Sequence, residues 1–101
     1  MNTGLLLNKS MRMFSMLVLK TASGAVYKIW EEYEDYWVIK KRKGNKYPIS
    51  IDEMKYLKIR KGESFYYPNG NTSAVVNIYA INEDGVYSKI DDAKELIIPV
   101  F

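Results

Sequence analysis

The chain contains no cysteine and no histidine. The first absence excludes disulfides, thiolate nucleophiles and cysteine-ligated metals. The second removes the usual metal ligand and the usual base at neutral pH. Glutamine is missing too, and arginine is scarce beside lysine, a bias to which no function is attached. Long apolar runs are absent: Met13–Leu19 spans only seven residues and includes Ser15, whereas a spanning helix needs roughly 20. Lys9 and Arg12 precede that run, but Lys20 closes it, and Ala22-Ser23-Gly24 is the nearest cleavage-like sequence. No secretion signal is therefore expected, and the cytoplasm follows by elimination.

Catalytic patterns are lacking as well. The chain holds no Ser-x-x-Lys, Gly-x-Ser-x-Gly, Walker or Gly-x-Gly-x-x-Gly sequence. Glu31, Glu32, Glu34 and Asp35 read as a solvated acidic connection, and Glu83-Asp84 and Asp91-Asp92 do not follow the EF-hand loop pattern. No catalytic residue, metal site or cofactor is expected, and the chain reads as a non-catalytic binding protein.

What is present defines one small β-rich domain over residues 1–101. Hydrophobic residues make up 48% of the chain, enough to predict folding rather than disorder. Nine tyrosines and two tryptophans are a large aromatic share for 101 residues. Residues 1–9, with Leu5, Leu6 and Leu7 in a row, read as a flexible or docking leader, and with an exposed edge strand they make a homodimer conceivable. Strands are predicted over Met16–Lys20, Ala25–Glu31, Tyr36–Lys43, Ser64–Tyr67, Thr72–Ile81, Val86–Ile90 and Leu96–Phe101. Alternation places Val26, Lys28 and Trp30 on one face of the second, and Tyr27 and Ile29 on the other. Thr72–Ile81 is apolar on both faces, which predicts a central position. Pro99 argues for an edge position for the last strand.

Two short helices are also expected. Ser50-Ile51-Asp52-Glu53 has the form of a capping box, followed by Met54, Tyr56 and Leu57 as an apolar side and by Lys55 and Lys58 toward the negative end. Asp92-Ala93-Lys94-Glu95 suggests a second cap. The expected fold is thus a small antiparallel curled sheet, or a partly open barrel, with one or two short helices.

Charge is uneven. Residues 1–62 hold 13 basic and 6 acidic side chains, a net of +7; residues 63–101 hold 2 and 6, a net of −4, which together give +3. The densest cluster is Lys40-Lys41-Arg42-Lys43-Gly44-Asn45-Lys46. With Gly44-Asn45 as a two-residue turn, Lys43 faces Lys46, Arg42 faces Tyr47 and Lys40 faces Ile49. Lys40, Lys41, Arg42, Lys43 and Lys46 then form a basic hairpin tip around Tyr47, suited to nucleic-acid phosphates. Against this stands the ordinary reading of a charged tip as solvated surface that discourages edge pairing. The alternative function is a protein-interaction module, an inhibitor or small structural subunit, using an aromatic sheet face with Tyr66, Tyr79 and Tyr87.

Overall fold

The computed structural model describes residues 4–6, 15–33, 36–49, 56–90 and 95–99. They form ten strands: β1 (Gly4–Leu6), β2 (Met16–Thr21), β3 (Val26–Tyr33), β4 (Tyr36–Lys41), β5 (Lys46–Pro48), β6 (Tyr56–Arg60), β7 (Ser64–Tyr67), β8 (Gly70–Ile81), β9 (Tyr87–Lys89) and β10 (Glu95–Pro99). One sheet runs β5-β4-β3-β2-β8-β7, with β9 also paired to β8; a smaller sheet runs β1-β10-β6. β6 and β7 approach each other, so the two sheets make a nearly closed barrel. Every pairing is antiparallel except β1 with β10, which is parallel.

The expected helices are corrected. Among the described residues there is no helix. The stretch assigned to the first helix continues into β6, where Leu57 and Ile59 are buried while Lys58 and Arg60 are exposed. That is a period of two, and pairing with β10 outweighs the local signal of a cap, because a helix of two turns is marginal without packing. The capping box itself, residues 50–53, lies outside the described residues. Glu95, expected to close the second cap, is the first residue of β10 and pairs with both Gly4 and Arg60; residues 91–94 lie outside the described residues. Nor is β10 an edge. It sits between β1 and β6, and Pro99 is tolerated there because pairing to β1 ends at Leu6 with Ile97, before the proline.

Alternation explains the core. Leu17 and Leu19, Tyr27 and Ile29, Trp37 and Ile39, and Leu57 and Ile59 project inward, where they meet Ile49, Phe65, Val75 and Ile78. Burying one such aliphatic side chain contributes about 1.5–3 kcal/mol. β8 does not keep the strict alternation expected of it. Its register against β2 shifts between Lys20 and Thr21, so that Val75, Ile78 and Ala80 all reach the core while Val76 is exposed. This bulge re-aims the strand, letting one half of β8 pair with β2 and the other with β7.

Polar groups fix the ends. A second register shift, between Ser64 and Tyr66, takes the Phe65 amide out of the ladder. The buried Thr72 hydroxyl accepts that N–H at 3.0 Å and donates to the Ser73 carbonyl at 2.6 Å. Ser73 Oγ also lies 3.0 Å from Ser23 Oγ and accepts the Ser23 amide at 3.2 Å, tying the β2–β3 turn to β8. After β8, the Asn82 side chain accepts the amides of Asp84 and Val86, each at 2.9 Å, and Gly85 takes φ +81° to complete the hairpin turn.

Candidate functional site

The outer face of the large sheet carries the site. Residues directly opposite each other in adjacent strands share a face. One transverse row therefore reads Lys46 (β5), Lys40 (β4), Lys28 (β3), Val18 (β2), Tyr79 (β8) and Lys89 (β9). A second row begins at Arg42, whose amide donates to the Val26 carbonyl at 2.9 Å, and continues through Val26 to Lys20 and Asn77. Between these rows lies a partly enclosed depression of about 410 Å³. Val18 and Val26 contribute its apolar lining, with Lys20, Lys28, Lys40, Lys41, Arg42, Lys43 and Tyr87 around them.

The hairpin at residues 40–46 differs in register from the sequence expectation. The reversal is a turn over Lys41–Gly44, closed by the Gly44 amide donating to the Lys41 carbonyl at 2.7 Å. Its left-handed residue is Lys43, at φ +63°, rather than a glycine. Pairing is then Lys40 with Lys46, Ile39 with Tyr47 and Val38 with Pro48, three positions from the two-residue Gly44-Asn45 solution. An odd shift exchanges the faces. It sends Ile49 into the core, held by its amide to the Trp37 carbonyl at 2.9 Å, and turns Tyr47 inward to stack on Tyr67 with ring centroids 6.2 Å apart. Burial there pushes the Tyr67 phenol above its usual range, with smaller contributions from Tyr27 and Tyr47.

The predicted basic residues are therefore split. Lys40 and Arg42 point to the outer face, and Lys43 is exposed at the turn. Lys41 pairs with the core residue Tyr27, with its ammonium 6.0 Å from that ring's centroid, and it too lines the depression. Lys46 is engaged by Glu32 at 2.7 Å, and this hydrogen bond raises the Lys46 ammonium above its ordinary value. The barrel brings in two cations that the sequence reading left out of the site, Lys20 from β2 and Lys28 from β3. Their signal was the alternation Val18-x-Lys20 and Val26-x-Lys28. It became informative only with the strand order β4-β3-β2.

Electrostatics at the depression are one-sided. Lys28 and Lys40 face each other directly, and Lys40 faces Lys46; like charges so placed are destabilising. Among the described residues, no carboxylate forms an ion pair with Lys20, Lys28, Lys40, Arg42 or Lys43.

Lys58 and Arg60 line a different depression with Glu63 and Tyr66, and Arg60 lies 3.7 Å from Glu63. Lys61 donates to the Ile90 carbonyl.

The three tyrosines proposed as a protein interface do not form one patch. Tyr79 and Tyr87 meet edge to face, with centroids 6.5 Å apart. Tyr66 pairs with Asn71 near the other end of β8, about 26 Å along the strand from Tyr79 at roughly 3.3 Å per residue.

The fold and site thus define a small, mainly β domain with a basic outer face. Among the described residues no group of three or more acidic, histidine or cysteine side chains is placed to hold a metal, and no helix is long and apolar enough to cross a membrane. Comparison with protein-family models, curated proteins and solved structures finds no match.

Proposed function

We propose that the protein is a non-catalytic binding protein that holds nucleic-acid phosphates on the outer face of its large sheet. The observation that carries this reading is the row Lys28–Lys40 beside Arg42, Lys20 and Lys43 around one depression. A sheet that only needed solubility would intersperse charges of both signs. Here like charges sit opposite each other, at a cost in stability that a bound phosphate between them removes. Phosphate contacts of this kind position a strand without reading its sequence. Arg42 is the one residue of the set with the planar fork that suits bidentate contact. The aromatic-face alternative loses ground because Tyr66 is remote and because Tyr79 and Tyr87 stand beside this basic surface rather than on a separate apolar one.

The test is fluorescence anisotropy with labelled nucleic acid at low salt. The wild type is compared with a variant carrying Lys20→Ser, Lys28→Ser, Lys40→Ser and Arg42→Ser, with circular dichroism as the folding control. Micromolar binding that falls with added salt and disappears in the folded variant supports the reading. A folded wild type that binds no nucleic acid at low salt rejects it and turns the search to a protein partner.

A further inference from the structure

We infer that the depression takes a single-stranded nucleic acid, with one base stacked on the Tyr87 ring. This deepens the phosphate reading and rests on it. Among the described residues, Tyr87 is the one aromatic side chain lining the depression, and it is 59% exposed. An exposed ring on a strongly basic face gains nothing from internal burial. It is nevertheless held in place. Its cross-strand partner is Ile81, and the Tyr79 ring on the diagonal braces it at 6.5 Å and 67°. Tyr79 in turn carries the Lys20 ammonium 5.3 Å from its centroid. The result is a braced aromatic platform continuous with the cation cluster.

Such a platform is useful only to an unstacked base. A duplex keeps its bases stacked and offers the protein its phosphates and sugars, or its groove edges. A single strand can lay a base on any aromatic face, with little dependence on base identity, while its phosphates follow a basic groove. The distances suit this. From Tyr87 on β9 to Lys40 on β4 the path crosses four interstrand spacings, about 19 Å across the sheet. That is at the short end of single-strand sites on small β-barrels, which begin at ~4 nucleotides. Lys20 and Lys28 lie along the path. The other aromatic pairs do not offer the same arrangement: Tyr33 and Tyr36 stack on each other at 4.7 Å, and Tyr47 and Tyr67 pack against the core.

The experiment measures binding of a short labelled oligothymidylate and of a duplex of equal length. Wild type, Tyr87→Leu, Tyr87→Phe and the fourfold Lys/Arg→Ser variant are compared. Wild type is expected to prefer the single strand. Tyr87→Leu should weaken single-strand binding by about 5- to 150-fold, leave the duplex unaffected and keep the salt dependence. Tyr87→Phe, which retains the ring, should bind as wild type does. Salt-sensitive binding that favours the duplex, or a Tyr87→Leu variant that binds the single strand as wild type does, overturns the single-strand assignment while leaving the phosphate reading intact. A fourfold variant that binds like wild type, or a wild type that binds neither probe, overturns both.

Discussion

The salt dependence of binding can be worked from the placement of the cations. Lys20, Lys28, Lys40 and Arg42 lie in the two rows of the outer face, whereas Lys41 and Lys43 line the depression from outside those rows and Lys46 is engaged by Glu32. Four phosphates neutralised on a single strand give a slope of log K against log salt of about −2.8, at roughly −0.7 for each contact. Raising salt fourfold then weakens binding by ~50-fold. Lys28→Ser removes one contact. Its slope should be shallower by about 0.7, and the protein should be no less stable, because the substitution also removes the repulsion of Lys28 from Lys40. The assay is an anisotropy titration at several salt concentrations, beside urea unfolding of both proteins. Lys28 was not part of the hairpin-tip cluster suggested by the sequence, so this variant separates a sheet-face site from a tip site. An unchanged slope for Lys28→Ser would refute the reasoning and return the contact to the tip.

Three further outcomes follow from the same geometry. Glu32→Gln releases Lys46 from its 2.7 Å ion pair and should steepen the salt slope by up to about 0.7, read in the same titration. Ile29→Ala leaves a cavity in the middle of the core, where Ile29 is fully buried; urea denaturation should show a loss of about 2–5 kcal/mol, and a loss under 1 kcal/mol would contradict the packing described. Thr72→Val keeps the shape but leaves the Phe65 amide without its acceptor. The expected cost is about 1–3 kcal/mol, with faster hydrogen exchange at Phe65; an unchanged exchange rate would show that the hydroxyl is not the partner.

Much of the fold was legible because strands facing a core alternate. Leu17 and Leu19, Tyr27 and Ile29, and Trp37 and Ile39 all follow that rule, and the turns at Gly24 and Gly85 carry the residue that positive φ favours. The misreadings have specific causes. At β6 the local capping pattern outvoted Leu57-x-Ile59, since only the partner strand β10 makes the alternation decisive. At residues 40–46 the glycine suggested where the left-handed residue should be, and Lys43 takes that conformation instead. The site was half legible for a different reason. Tyr47 alternates away from Lys40 and Arg42 into the core, while Lys20 and Lys28 reach them only through strand order, which is a long-range property.

The most direct test of a phosphate site on the outer sheet face is an amide chemical-shift titration of the folded protein with a short single-stranded oligonucleotide. The account predicts saturable shifts concentrated at Lys20, Lys28, Lys40, Arg42, Tyr79 and Tyr87, with Lys58, Arg60 and Tyr66 unmoved. Shifts confined to Lys58, Arg60 and Tyr66, or none at low salt, would contradict it.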